Sequence, residues 1–125
     1  MPNAVEQLVG QLIIAGFRGK TADQTTEIAK YIIDYNIAGV ILYDEDLEIG
    51  GPGSRNIESL GQVKELVKQL QTLSKKALLI SIDQEGGQVH RLKSDYGFKE
   101  TPSRNHIGLL NNSLMTKQFL SLIHI

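Results

Sequence analysis

The sequence predicts an α/β fold with parallel strands, assembled from repeated strand–helix–strand units. Short apolar runs alternate with helical patterns along the chain. The runs are continuous rather than alternating, which suits strands covered on both faces. Their order, strand, helix, strand, helix, strand, is that of βαβ units. Right-handed crossovers would place both helices on one side of the sheet. Two architectures share this order, the doubly wound sheet and the eight-stranded β/α barrel.

Each element has its own signal. Val5, Leu8, Val9 and Leu12 recur at spacings of three and four and predict a short opening helix. The run from Leu12 to Phe17 reads as a first strand, ended by a turn at Arg18-Gly19. Thr21 and Gln24 have the capping-box spacing and predict a helix start there. Ile28, Tyr31, Ile32 and Tyr35 form its apolar face, and Asn36 is its stop. Gly39 to Tyr43 is a second strand, short and β-branched. Ser59 with Gln62 opens another helix, with Val63, Leu66, Val67, Leu70 and Leu73 as its buried stripe. Ala77 to Ile82 is the third strand. Between Asp44 and Glu58 lies a long insert whose Gly50, Gly51, Pro52 and Gly53 rule out regular structure. Beyond Gly97 the pattern weakens. Leu109, Leu110, Leu114 and Phe119 fit one final helix, and the tail from Leu120 to Ile125 is apolar and uncapped.

Composition narrows the functional classes. With 125 residues, 41% apolar and 22% charged, the chain suits one soluble domain with a modest core. A net charge of −1 offers no basic field for nucleic acid or an anionic membrane. No cysteine is present, which excludes disulfides, thiolate nucleophiles and Cys-ligated zinc. No apolar run approaches the length of a membrane span. The start, Met1 to Glu6, has no basic segment followed by an apolar stretch, so a cytoplasmic location is expected; a lost upstream leader would make it exported.

The chemistry concentrates between Ile82 and Leu92, directly after the third strand. In parallel α/β folds ligands bind at the C-terminal strand edge. Asp83 is the first residue there, and a carboxylate beside a buried strand needs donors, which sugar hydroxyls supply. Gly86-Gly87 allows a sharp turn and close approach to a ligand. Arg91 can return a fork of donors to the same cavity. Plainer readings stay open: Asp83 as a helix cap, the glycines as a simple turn, Arg91 as a surface charge. Glu85 and His90 invite a metal reading, but two ligands without a third partner are a weak site. No GxGxxG or GxxxxGK[ST] loop occurs. Asp44, Glu45 and Asp46, which end the second strand, read as a hydrated loop in preference to a wall of the cavity.

The segment Ile82-Asp83-Gln84-Glu85-Gly86-Gly87-Gln88-Val89-His90-Arg91-Leu92 resembles the DQEGG(R)V-x-RL signature of glycoside hydrolase family 3, in particular its β-N-acetylhexosaminidase branch. Gln7 to Gln11, Gly39 to Leu42 and Thr101-Pro102-Ser103 are similar to other segments of that family, and the likeness extends to around Met115. It implies the first three βα units of a (β/α)8 TIM barrel, so residues 1–125 would form an incomplete N-terminal barrel domain whose tail beyond Phe119 leaves the family pattern. Three strands cannot close a barrel, so self-association through exposed strand edges is expected.

By the same resemblance Asp83 and Arg91 bind the N-acetylglucosamine residue of a carbohydrate substrate. No cofactor and no metal are implied. The family's Lys-His loop, its Asp–His acid/base pair and its Asp nucleophile belong to later segments. The expectation is therefore the opening piece of a retaining glycosidase that removes terminal β-linked N-acetylglucosamine from peptidoglycan or chitin-like fragments, inactive by itself. The alternatives are a small non-catalytic carbohydrate-binding module and a β-glucosidase of the same family. Gln88, where Arg is common, and the insert after Tyr43 depart from the family pattern and bear on the natural substrate.

Overall fold

The computed structural model describes residues 3–121; the last four residues of the apolar tail lie outside them. The described chain is a three-stranded parallel sheet, order β1-β2-β3, with helices packed on one face. The strands are β1 (Ile14–Gly16), β2 (Gly39–Leu42) and β3 (Leu79–Ile82), and the long helices between them are α2 (Glu27–Ile33) and α3 (Leu60–Leu73). This is the expected α/β fold of the first three βα units. Ile14 pairs with Gly39, and Gly39 with Leu79, so the three strands run in step and finish at one edge.

Helix α3 forms where its stripe predicts. Ser59 is its N-cap and its hydroxyl accepts from the Gln62 N–H at 3.1 Å. Val63, Leu66 and Leu70 are completely buried. They meet Ile28 and Ile32 of α2 and Val40 and Leu42 of β2 in one core. Each such side chain contributes about 1.5–3 kcal/mol through burial. Helix α2 begins at Glu27, not at Thr21. Asp23 accepts from both the N–H and the hydroxyl of Thr25, and this local turn outcompetes the capping box read from the sequence. Asn36, in the left-handed region, ends the α2 segment as expected.

The opening helix α1 (Ala4–Gly10) is present, but its apolar stripe is not buried: Val5, Leu8, Val9 and Leu12 are all exposed. Polar clamps hold it instead. Gln7 Nε2 donates to the Asp34 carbonyl, Gln11 Nε2 to the Asn36 carbonyl, and Asn36 Nδ2 to the Gln7 carbonyl. At the C-terminal end the expected single helix is two, α4 (Arg104–Leu110) and α5 (Ser113–Ser121), broken at Asn111 in the left-handed region.

Side chains alternate across each strand. Ala15, Val40, Leu42, Ile80 and Ile82 pack into the helix-covered core. The opposite row, Ile14, Gly16, Ile41, Tyr43, Leu79 and Ser81, faces away from the helices, and Ile14 and Leu79 are exposed. The continuous apolar runs thus have one covered face among the described residues, not two as the pattern predicts. Apolarity is local to the strand and does not say whether anything covers its second face.

Candidate functional site

All three strands finish at one edge, so the residues that follow them meet there: Phe17 and Arg18 after β1, Tyr43 and Asp44 after β2, Asp83 and Gln84 after β3. Asp83 sits where the sequence placed it. It is exposed, continues the uncovered row of Leu79 and Ser81, and has no hydrogen-bond or ion-pair partner among the described residues. Neither a helix cap nor a local turn uses it.

Arg91 is on the loop that returns from β3. Its Nη1 lies 3.4 Å from Asp44 Oδ1, and its guanidinium is 5.6 Å from the Tyr43 ring centroid. Its Nε is buried without a hydrogen bond among the described residues. No ion pair joins Asp83 to Arg91. The two share the loop, but only Arg91 has a charged partner among the described residues, Asp44. Gln84 shapes that loop: its Oε1 accepts from the Arg91 and Leu92 N–H groups at 2.9 and 3.0 Å. Gly86 makes a close approach, though to the chain itself. It has φ +70°, and a Cβ there would stand 2.4 Å from the Pro102 carbonyl oxygen. Glu85 pairs with Arg104 at 2.7 Å, and His90 Nε2 contacts the Leu92 carbonyl at 2.8 Å, which requires the Nε2–H tautomer. Both residues of the weak metal reading are thereby engaged elsewhere.

The acidic run after β2 is where the expectation fails. Asp44 and Asp46 are 0% and 1% exposed, not parts of a hydrated loop. Lys93 Nζ lies 2.5 Å from Asp44 Oδ2, and the Tyr96 hydroxyl donates to the same oxygen at 3.3 Å. Asp44 raises the pKa of Lys93, against the opposing effect of burial. Burial, with Asp44 assisting, also raises that of Tyr96. Asp46 accepts from Arg18 and from the Glu48 and Ile49 N–H groups. The Arg18 hydrogen bond, foremost, lowers its pKa to about 2. Buried Asn56 closes the insert: its Oδ1 accepts from the Tyr43 N–H and its Nδ2 donates to the Phe17 and Gly19 carbonyls. The base of the insert is therefore a built part of the sheet edge, while Leu47 to Pro52 project into solvent. The pairing of Asp44 with Lys93 was not legible in the sequence, since the two lie some fifty positions apart. The usable signal was position: Asp44, like Asp83, follows a buried strand.

The sequence profile of the glycosyl hydrolase family 3 N-terminal domain matches residues 4–119. The chain belongs to glycoside hydrolase family 3. Its family 3 relatives include a β-hexosaminidase of Hydrogenovibrio crunogenus, 33% identical over 83% of this chain and 27% of that protein. Another, from Haemophilus influenzae, is 33% identical over 73% of this chain and 22% of its own length. Among solved structures, the family 3 β-N-acetylglucosaminidase of Paenibacillus sp. superposes with a TM-score of 0.71 at 32% identity, over 89% of this chain and 19% of that one. NagZ of Neisseria gonorrhoeae, in complex with N-trifluoroacetyl-D-glucosamine, gives a TM-score of 0.61 at 28% identity, over 78% and 25%. The family 3 sequence described here thus spans about a quarter of the length of the curated relatives it matches.

Proposed function

We propose that this chain carries the sugar-gripping part of a retaining family 3 β-N-acetylhexosaminidase, and that Asp83 and Arg91 bind a terminal β-linked N-acetylglucosamine residue. One observation carries the reading. Asp83 is an exposed carboxylate with no partner of its own among the described residues, held at the strand edge where α/β folds bind ligands. Most other acids at this edge are committed, Asp44 to Lys93 and Asp46 to Arg18. Sugar hydroxyls are the natural donors for the one left over. Arg91 is fixed from behind by Asp44 and Tyr43, which leaves part of its guanidinium for a ligand. The β-hexosaminidase names of the sequence relatives, and the glucosamine derivative bound by the NagZ neighbour, favour N-acetylglucosamine over glucose.

Hydrolysis with retention needs two catalytic groups flanking the bond, a nucleophile and an acid/base. The family places both in segments that follow the region matched here. The whole enzyme would form and then hydrolyse a glycosyl-aspartate intermediate; residues 1–125 by themselves would bind sugar without cleaving it. Two measurements test this. Incubation with an aryl N-acetyl-β-glucosaminide gives no saturable release, and calorimetry detects N-acetylglucosamine binding that Asp83→Ala abolishes. Saturable turnover, or binding indifferent to Asp83, would overturn the proposal.

A further inference from the structure

Arg55 stands apart from the other arginines. Arg18 pairs with Asp46 and Glu48, Arg91 with Asp44, and Arg104 with Glu85. Arg55 has no carboxylate within ion-pair distance among the described residues. It is nevertheless held in one place. Its Nε donates to the Phe17 carbonyl at 2.9 Å, and its guanidinium lies 5.1 Å from the Tyr43 ring centroid. A Cβ placed on Gly16 would be 3.5 Å from its Nη2, so the guanidinium reaches across the uncovered sheet face above β1. This is the face and the edge on which Asp83 stands.

The arrangement fits an anion receptor better than a structural prop. The Phe17 contact occupies Nε and leaves the Nη1/Nη2 end without a hydrogen bond among the described residues. That end is a planar fork whose two N–H groups match the two oxygens of a carboxylate. The ring and the carbonyl have already fixed the side chain, so a ligand meets a preorganised donor pair and little rotamer freedom is lost on binding. Half-burial strengthens the attraction relative to a cation in open water.

We propose that Arg55 is a ligand-binding residue that takes a carboxylate carried by the saccharide held at Asp83. The proposal rests on the carbohydrate reading of Asp83 given above. It makes the site selective for an acidic sugar partner, and it assigns that selectivity to the closing residue pair of the insert, Arg55-Asn56, rather than to the Asp83–Arg91 loop.

Calorimetric titration of the chain with two disaccharides tests it. One is neutral N,N′-diacetylchitobiose; the other is β-linked N-acetylglucosaminyl-glucuronate, of similar size but with one carboxylate. The unaltered chain should bind the acidic disaccharide about tenfold tighter, with a preference that shrinks as salt rises. Arg55→Gln should bring the ratio close to one. Arg55→Lys, which keeps the charge and loses the fork, should retain only part of it, and decides the matter if Arg55→Gln does not fold. A ratio unmoved in the folded variants, while Asp83→Ala still abolishes binding of both sugars, overturns the role of Arg55 and leaves the Asp83 reading intact. Absence of any Asp83-dependent binding overturns both.

Discussion

Asp44 and Lys93 form an ion pair at 2.5 Å between the end of β2 and the loop that follows β3, with the carboxylate entirely out of solvent. Arg91 and Tyr96 complete its surroundings. The pair ties two adjacent strand ends together and holds Arg91 from behind. Asp44→Ala would leave half-buried Arg91 without its counter-charge and half-buried Lys93 with only Glu45, at 3.4 Å. Loss of one partner of a fully buried pair costs about 3–5 kcal/mol; here the cations keep about a third of their surface in water, so about 2–3 kcal/mol is expected. Asp83→Ala, an exposed change with no internal partner, should stay within about 0.5 kcal/mol. Urea unfolding of the two variants at one protein concentration checks the contrast; equal midpoints would contradict it.

Gly86→Ala combines two faults. The backbone is in the left-handed region, and the added carbon would meet the Pro102 carbonyl oxygen at 2.4 Å. Something must shift, and the segment Thr101-Pro102-Ser103 at the start of α4 is the partner that moves. A loss of about 1–3 kcal/mol is expected. Hydrogen exchange should report it locally, with faster exchange at the Arg104 N–H, which bonds the Glu85 carbonyl, and unchanged exchange in α3.

Acid should loosen the insert. Asp46 titrates at about 2 in the folded chain against an ordinary 3.8, so the folded state favours its ionised form. A lowered carboxylate pKa contributes stability that is present above the unfolded value and is lost as pH falls through the folded one. The loss therefore belongs between about pH 4 and pH 2. Asp46→Asn should flatten the pH dependence of unfolding in that window. A variant with the same slope as the parent would contradict the assignment to Asp46.

Both outer strands of the described sheet are edges, and their exposed side chains are apolar: Ile13 and Ile14 by β1, Leu79 on β3. Unpaired backbone groups beside such side chains favour pairing with another copy. The isolated chain should elute as oligomers in light-scattering chromatography, with a broad thermal transition. Lysine at Ile14 and Leu79 should shift it toward monomer. A monomer with a sharp, cooperative melt would rule out edge pairing.

How much was legible in the sequence depended on range. The stripe Val63, Leu66, Leu70 and the Ser59 cap are local signals, and α3 forms where they point. The three strands and their parallel pairing follow from apolar runs and from connections too long for hairpins. Where two local options competed, proximity won: at Thr21 the Asx turn of Asp23 displaced the capping box. The stripe of α1 carries the right period, yet it stays exposed, because period says which face is apolar and not whether anything covers it.

By itself, then, the sequence determined the α/β order, the family signature and the position of Asp83 at a strand edge, because each rests on neighbours within a few residues. Only the tertiary structure decided which charges are committed. Asp44 and Asp46 are buried because Lys93, Arg91 and Arg18 reach them from other strand ends, and the stability of a buried carboxylate is set by partners in space. The same long-range pairing leaves Asp83 and Arg55 at this edge without an ion-pair partner among the described residues. Sequence spacing carries no information about that remainder.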